Sequence, residues 1–207
     1  MYIELSQISK RYQKQSIFRE VSHSFTPGSC TAVIGNNGSG KSTLLHIIAG
    51  YASPSQGSVK WELPNKRIKR DDIFRFVSIC SPALQLWDEL TLSENYALFR
   101  EFKRLPECSA SIDFARIIQL EKHLNKPLKS FSSGMRQRVK LGFAILSDAP
   151  LLLLDEPCSH MDGDAVSWYQ EVLQKHAQGR TIIVASNRDN RETFLCNEEL
   201  DINDYKP

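Results

Sequence analysis

Three segments that follow one another between Thr31 and Gly50 constrain the fold of this chain more than any other feature. Thr31-Ala32-Val33-Ile34 is a short apolar run rich in β-branched residues, as in a buried strand. A glycine-rich stretch follows directly, and apolar residues then recur at helical spacing up to Gly50, a predicted helix stop. The order strand, loop, helix predicts an α/β unit.

The glycine-rich stretch has the form G-x-x-x-x-G-K-[ST], which ends at Lys41 and Ser42. Glycines let successive backbone N–H groups curl around phosphate oxygens, and the helix N-terminus adds a partial positive charge. We expect Lys41 to reach the β- and γ-phosphates of a nucleotide and the Ser42 hydroxyl to ligate Mg²⁺. The predicted phosphate-binding residues are Gly35, Asn36, Asn37, Gly38, Ser39, Gly40, Lys41, Ser42 and Thr43.

Two acidic residues follow a second apolar run. Leu151-Leu152-Leu153-Leu154 predicts a buried strand, and Asp155-Glu156-Pro157 comes directly after it. Parallel α/β sheets bind their ligands at the carboxyl ends of strands. Asp155 is therefore a predicted Mg²⁺ partner through water, and Glu156 a predicted general base for the water that attacks the γ-phosphate. The alternative is a pair of exposed loop acids without a role.

The segment Phe131-Ser132-Ser133-Gly134-Met135 opens a predicted helix before that strand. Together with the two motifs, it resembles the signature segment of ATP-binding cassette (ABC) ATPases, whose usual form is Leu-Ser-Gly-Gly-Gln. The resemblance covers nearly the whole chain. It implies an α/β fold, a P-loop NTPase of ABC type with an N-terminal antiparallel β subdomain and an inserted helical subdomain. It also places an adenine-stacking aromatic at Tyr12 and a D-loop at Ser159-His160-Met161-Asp162.

Hydrophobic patterns fit one domain over residues 1–207, with a core of about 1–81 and 150–207 and a helical subdomain of about 82–149. Tyr2–Leu5 and Val21–Phe25 alternate as short antiparallel strands do. Further elements are predicted from capping and periodicity. They are a helix capped by Thr91-x-x-Glu94, running through Tyr96, Phe99 and Phe102 and closed by Pro106; a helix from Ser132 with Met135, Val139, Phe143 and Leu146 on one face; a helix over Ala165–His176; and a strand over Thr181–Ala185.

In this family, the resemblance implies a head-to-tail dimer that holds ATP between the phosphate loop of one subunit and the signature helix of the other. The residues that would contact the partner's ATP are Ser132, Ser133, Gly134 and Met135. The resemblance fits both a homodimer and a heterodimer with another ABC ATPase subunit.

Three positions depart from the family pattern. Ser133 and Met135 replace the second-position glycine and the glutamine of the usual signature. The Cys80-Ser81-Pro82 region lacks the usual glutamine, and Gln85 comes several residues late. Asn187 stands where the family has a histidine that contacts the γ-phosphate; its amide can donate a hydrogen bond but cannot carry a proton or a charge. The sequence therefore supports ATP binding better than fast hydrolysis.

The leading interpretation is an Mg²⁺-dependent ATPase subunit that powers transport through separate membrane-spanning subunits, with the short length favouring export. Pro82–Phe102 is the predicted docking segment for those partners. An alternative is a soluble ABC ATPase that acts on ribosomes or DNA, but a net charge of +2 gives no electrostatic footprint and no nucleic acid is expected. An unrelated GTPase is opposed because Asn187-Arg188-Asp189-Asn190 is not the Asn-Lys-x-Asp that reads guanine.

The location of the chain is predicted from what the sequence lacks. Its apolar runs are far shorter than the roughly 20 residues that span a bilayer, and Glu4 interrupts the N-terminus where a signal peptide would be basic and then apolar. Five scattered cysteines without a Cys-x-x-Cys pair predict reduced thiols and no zinc site. We expect a cytoplasmic protein, peripheral at the cytoplasmic face of the membrane. The run Lys66–Arg70 is interpreted as a solvated loop or an edge strand.

Overall fold

A computed structural model describes residues 1–13 and 15–206. The strands are β1 (Tyr2–Tyr12), β2 (Gln15–Phe25), β3 (Cys30–Ile34), β4 (Gln56–Leu63), β5 (Lys66–Ile68), β6 (Val77–Cys80), β7 (Leu151–Asp155), β8 (Thr181–Ser186) and β9 (Glu198–Asp201). The α-helices are α1 (Lys41–Ile48), α2 (Leu92–Arg100), α3 (Ser111–Ile117), α4 (Ser133–Leu146) and α5 (Gly163–His176).

The strands form two sheets. An antiparallel sheet has the order β2-β1-β4-β5, and a parallel sheet has the order β6-β7-β8-β3-β9. This is the predicted α/β fold, with its antiparallel strands at the front of the chain and its helices mostly between β6 and β7. The basic run Lys66–Arg70 was interpreted as a solvated loop or an edge strand, and its first three residues form β5, at the edge of the antiparallel sheet.

The parallel sheet is covered on both faces, which explains why its strands are apolar throughout. Successive side chains of β7 point to opposite faces, so Leu151 and Leu153 pack with α1 and the antiparallel sheet. Leu152 and Leu154 pack on the other side, in a second core built with α2 to α5. Two hydrophobic cores therefore share one central sheet.

Arg180, which immediately precedes β8, joins the helical layer to the sheet. Its guanidinium is buried and donates hydrogen bonds to the carbonyls of Ile145 and Ala144 in the last turn of α4, at 2.6 and 3.4 Å, and to the carbonyl of Ala149 just beyond the helix, at 2.9 Å. A cation at this end also complements the partial negative charge of the helix C-terminus. The opposite end of α4 carries the signature segment, so Arg180 fixes the helix from which that segment projects.

The helix predicted to start at Thr91-x-x-Glu94 and to run through Phe102 was correct at its start and wrong at its end. Thr91 and Glu94 form the expected capping box: the Thr91 N–H donates to Glu94 Oε2 at 2.7 Å, and the Glu94 N–H donates to Thr91 Oγ1 at 3.2 Å. The helix ends at Arg100, well before Pro106. Directly after it, the N–H groups of Glu101 and Phe102 donate to carbonyls three residues earlier, as in a 3₁₀ turn. Phe102 lies outside it and is 73% exposed.

The two N-terminal strands were predicted to be short, which is also wrong, because each spans 11 residues. Their alternation is interrupted by register shifts around Gln7 and Glu20, both in left-handed backbone conformations. The sequence pattern consequently shows only the regular ends of each strand. Strands β4, β6 and β9 and helix α3 were not predicted.

Two further observations concern the membrane and the thiols. Within residues 1–13 and 15–206, no helix combines the length and the apolar character needed to cross a membrane. All five cysteines are free, although Cys30 and Cys196, which are far apart in the sequence, lie with their sulfur atoms 2.9 Å apart.

Candidate nucleotide-binding site

The topology brings the predicted site residues to one edge of the parallel sheet. Ile34 pairs with Ser186 and Asp155 pairs with Ala185, so β3, β7 and β8 end side by side. The glycine-rich loop, Asp155-Glu156 and Asn187 each follow one of these strand ends. Neighbouring strands lie about 4.8 Å apart, so residues separated by more than a hundred positions in the chain share one small region.

The loop over 35–40 depends on the absence of side chains at its close approach to β2. Gly40 has a φ of 104°, and a Cβ atom there would lie 2.6 Å from Ile17 Cγ2. Gly40 is also the N-cap of α1 and provides no side-chain cap, so the first N–H groups of the helix remain available to an anion. The hydroxyl of Ser39 is buried inside the loop without a hydrogen-bond partner. Such a donor fits a phosphate oxygen.

Lys41 is buried at the start of α1, and its ammonium holds the loop from inside. Its Nζ donates hydrogen bonds to the carbonyls of Gly35 at 2.7 Å and Asn36 at 3.2 Å. These carbonyls compensate the buried charge, which would otherwise be costly. An ammonium at this position can bind a phosphate group that the loop encloses. Asn36, Asn37 and Gly38 are exposed at the loop tip, Ser42 is exposed and Thr43 is half-buried.

Asp155 is 2% exposed at the end of β7, and its Oδ1 atom has no hydrogen-bond partner. Burial raises the pKa of this carboxyl, while the nearby Ser42 hydroxyl and the positive charge of Lys41 act in the opposite direction. An unpartnered buried carboxylate oxygen beside a hydroxyl is a suitable pair of hard oxygen ligands for Mg²⁺. The residues present therefore fit the predicted ion.

Glu156 follows directly in a left-handed conformation, with a φ of 48°. Its N–H donates to the carbonyl of Ala185 at 2.9 Å, and the Ser159 hydroxyl lies 3.4 Å from its Oε2. The residue lines two cavities. One of about 720 Å³ also contains Gln85 and Ser133, and one of about 390 Å³ also contains Asn37 and Asn187. Three residues line both cavities: Glu156, Ser159 and His160.

Asn187 is exposed just beyond β8 and shares the smaller cavity with Glu156 and Asn37 of the glycine-rich loop. This is the position from which the predicted γ-phosphate contact would be made. Gln85, which comes late relative to the family pattern, lines the larger cavity with Glu156. Gln85 and Glu156 therefore border the same cavity.

The signature segment begins α4. The Ser132 hydroxyl oxygen caps the helix by accepting the Met135 N–H at 3.2 Å, and its own proton remains free to be donated. A Cβ atom on Gly134 would lie 3.3 Å from the carbonyl of His160, so the segment packs closely against the loop after Glu156. The exposed helix start fits an anion supplied by another chain.

Tyr12 lies apart from these groups, at the end of β1, and lines neither cavity. Its ring is 52% exposed, and the Lys10 ammonium lies 4.7 Å from the ring centroid. An aromatic face open to solvent can stack on a nucleobase.

Sequence reasoning missed two polar residues at the site. The Gln137 amide donates to the carbonyl of Pro157 at 2.9 Å and so joins α4 to the loop after Glu156. Glu192, buried in the smaller cavity, contacts the same loop. Gln137 lies two residues after the signature segment and could have been suspected, whereas no spacing marks Glu192.

Comparisons with known proteins agree with this arrangement. A family model described as "ABC transporter" matches residues 18–159. An uncharacterized ABC transporter ATP-binding protein, YybJ of Bacillus subtilis (strain 168), is 28% identical over 203 residues, which are 97% of this chain and 92% of the relative. The Nod factor export ATP-binding protein I of Sinorhizobium fredii (strain NBRC 101917 / NGR234) is 31% identical over 94% of this chain and 58% of its own length.

A solved structure extends the comparison to the fold. It is a dimeric ATP-binding cassette in a post-hydrolysis state bound to ADP and Pi, with a TM-score of 0.82 and 22% sequence identity. The match covers 96% of this chain and 93% of the other.

Proposed function

This chain belongs to the ABC transporter family, and we propose that it is the ATP-binding and ATP-hydrolysing subunit of a transporter whose membrane-spanning subunits are separate chains. The observation that carries the proposal is the convergence of the glycine-rich loop, Asp155, Glu156 and Asn187 at the carboxyl ends of three adjacent strands. We treat residues 1–207 as one ATPase domain, with a core of about 1–81 and 150–207 and a helical subdomain of about 82–149.

The loop and Lys41 bind the phosphates of ATP. When a nucleotide enters, Lys41 exchanges its two carbonyl partners for phosphate oxygens, and the N–H groups at the start of α1 face the same charge. Tyr12 stacks on the adenine. Ser42 and Asp155 would hold Mg²⁺, which when bound would neutralise the charge that develops on the phosphates.

Glu156 is the general base. Its carboxylate accepts a proton from the attacking water, whose oxygen forms the new bond to the γ-phosphorus as the bond to the β-phosphate oxygen breaks. ADP and inorganic phosphate leave. Asn187 donates a neutral hydrogen bond from its amide toward the γ-phosphate, which is a weaker contact than a protonated imidazole provides. Slow basal turnover is the expected consequence.

The site is completed by a second cassette. The exposed start of α4, with Ser132, Ser133, Gly134 and Met135, presents a hydroxyl and helix N–H groups to ATP bound by the opposite subunit. ATP then joins the two chains, and its hydrolysis releases them. The solved cassette with the same fold is itself dimeric. A homodimer and a heterodimer both fit this arrangement.

The membrane partner docks on exposed aromatic side chains of the segment before α2 and after its end. Trp87 is 53% exposed and Phe102 is 73% exposed. A third aromatic residue, Phe74, is 52% exposed, and its backbone carbonyl accepts a hydrogen bond from Lys103 Nζ, next to Phe102 in the chain. Apolar surface of this kind is typical of an interaction site. The chain would accordingly lie at the cytoplasmic face of the membrane. The relative named for Nod factor export favours an exporter as the assembly served.

One experiment tests the assignment to a transporter. The tagged chain is purified from detergent-solubilised membranes of its source cells, and the co-purifying membrane-spanning chain is identified by mass spectrometry. We expect a double variant, Trp87→Ala with Phe102→Ser, to lose that chain, and Tyr51→Ser, which alters another exposed aromatic at 60% exposure, to retain it. Recovery of ribosomal or DNA-bound partners instead would refute the transporter assignment.

A further inference from the structure

Glu192 is a buried carboxylate next to the proposed catalytic groups. The residue is 5% exposed and lines the cavity of about 390 Å³ that also contains Glu156, Asn187 and Asn37. Its Oε1 accepts the backbone N–H of Cys158 at 3.1 Å, and its Oε2 accepts the hydroxyl of Ser186 at 2.5 Å. Both carboxylate oxygens are therefore used.

The two donors lie at the ends of different strands, one in the loop after β7 and one at the last residue of β8. Cys158 lies two residues after Glu156, in the loop that leaves β7, and Ser186 is the last residue of β8, directly before Asn187. The last backbone hydrogen bond between these strands is from the Glu156 N–H to Ala185. Beyond it, in the described part of the chain, hydrogen bonds join the loop over 157–162 to the segment over 186–192 only through the Glu192 carboxylate.

The backbone of Glu192 is itself held from other directions. The Tyr169 hydroxyl donates to the backbone carbonyl of Glu192 at 3.0 Å, and the Glu192 N–H donates to the carbonyl of Asp189 at 3.0 Å. Ser186 Oγ also accepts the Asp189 N–H at 3.1 Å. Hydrogen bonds therefore run without a break from Tyr169 on α5 through Glu192 to the loop after β7 and to the end of β8.

Burying this group is costly for the fold. Glu192 takes part in no ion pair among residues 1–13 and 15–206, and burial raises its pKa, as do the negative charges of Asp189 and Glu156. Burying a carboxylate that has no charged partner costs free energy. What the group contributes is the pair of hydrogen bonds that joins the loop after β7 to the end of β8.

We propose that Glu192 is a positioning residue for ATP hydrolysis, which holds the loop after Glu156 and the strand end before Asn187 in one arrangement. This inference rests on the proposed function. It assigns Glu192 no contact with ATP. Its carboxylate acts through the backbone of Cys158 and the side chain of Ser186, so that Glu156 and Asn187 face the γ-phosphate together.

The kinetic test compares three variants with the parent by steady-state phosphate release. Glu192→Ala removes both connections, and we expect kcat to fall about 10- to 100-fold with KM for ATP changed less than about threefold, because a misplacement near 1 Å costs on this order. Glu192→Gln should keep at least about a third of kcat, since its amide oxygen can accept from Cys158 and its NH₂ can donate to Ser186. Glu171→Ala, an exposed acid on α5, should behave as the parent does.

A second measurement does not depend on turnover. In Glu192→Ala, hydrogen–deuterium exchange of the nucleotide-free protein should be at least about tenfold faster at the amides of Cys158 and Asp189, which lose or loosen their acceptors, with little change elsewhere. Faster exchange throughout the chain would mean general destabilisation and would overturn the proposal. So would parental kcat in Glu192→Ala, or a Gln variant no better than the Ala variant. If the parent and Glu156→Gln release phosphate equally, the proposed function fails, and the exchange pattern still decides whether Glu192 joins the two loops.

Discussion

Replacing Arg180 by methionine should destabilise the protein, because it removes the cation that caps the C-terminal end of α4. Methionine keeps an apolar stem of similar length but none of the three donors. The Ala144 carbonyl keeps the Ser147 hydroxyl as a partner at 3.0 Å, so the loss falls on the carbonyls of Ile145 and Ala149. A buried polar group left without its partner costs about 1–3 kcal/mol, or about 2–6 kcal/mol for the pair.

Part of this cost is offset because the variant no longer buries a charge. Burial lowers the pKa of Arg180 to about 10, which shows that the charged form is disfavoured there. We therefore expect a net loss of about 2–4 kcal/mol in the free energy of unfolding. For a protein of this length, that corresponds to a fall of about 5–15 °C in Tm.

Thermal and urea unfolding followed by far-ultraviolet circular dichroism measure the effect. Arg180→Lys, which keeps the charge with fewer donors, should lie between the parent and Arg180→Met. Arg116→Met is the matched control, since the Arg116 side chain is 67% exposed and its nearest carboxylate lies 3.7 Å away. It should stay within about 0.5 kcal/mol of the parent. If Arg180→Met does the same, then the three hydrogen bonds do not stabilise the helix end as argued.

Three further variants test the site itself. Lys41→Ala should weaken ATP binding about 10- to 150-fold, as for a charge-assisted contact worth about 1.5–3 kcal/mol. Titration with a fluorescent ATP analogue measures this, and an unchanged affinity would argue against phosphate binding by the glycine-rich loop. Glu156→Gln should bind ATP without hydrolysing it, so sedimentation with Mg²⁺-ATP should show more dimer than in the parent; a mutant that stays monomeric, or hydrolyses at the parental rate, argues against a general base here. Asn187→His should raise kcat several-fold or more with little change in ATP affinity, because contacts made in the transition state change rates by about 10²–10³-fold. A folded, ATP-bound mutant with unchanged phosphate release would show that this side chain does not face the γ-phosphate.

The elements that could be predicted are those whose burial is one-sided or continuous along the chain. Thr31–Ile34 and Leu151–Leu154 are uniformly apolar because the parallel sheet is covered on both faces, and the apolar face of α4 is regular over four turns. By contrast, β4 buries only Trp61 among its eight residues, and α3 has seven residues, fewer than two full turns. Such patterns are too short or too polar for periodicity to detect.

The site divides in the same way. Asp155 and Glu156 could be placed because the ends of parallel strands meet at one edge, whatever lies between them in the sequence. Arg180 and Glu192 could not, because each acts through backbone groups that are 30 or more residues away in the chain. Backbone donors and acceptors are the same at every residue, so no sequence pattern identifies which of them will be contacted. The contact between the sulfur atoms of Cys30 and Cys196 was hidden for a different reason, since the two residues are 166 positions apart and no spacing marks them as a pair.

The left-handed backbone conformation of Glu156 lowers protein stability, whereas the proposed hydrolysis needs the carboxylate of this residue. A non-glycine residue in this conformation costs about 1–2 kcal/mol, and glycine would adopt it without that penalty. Random mutagenesis scored only by heat resistance would therefore tend to enrich glycine at position 156 and discard the proposed base. A library built from this chain should be screened for phosphate release and thermal stability together, because the two selections pull this residue in opposite directions.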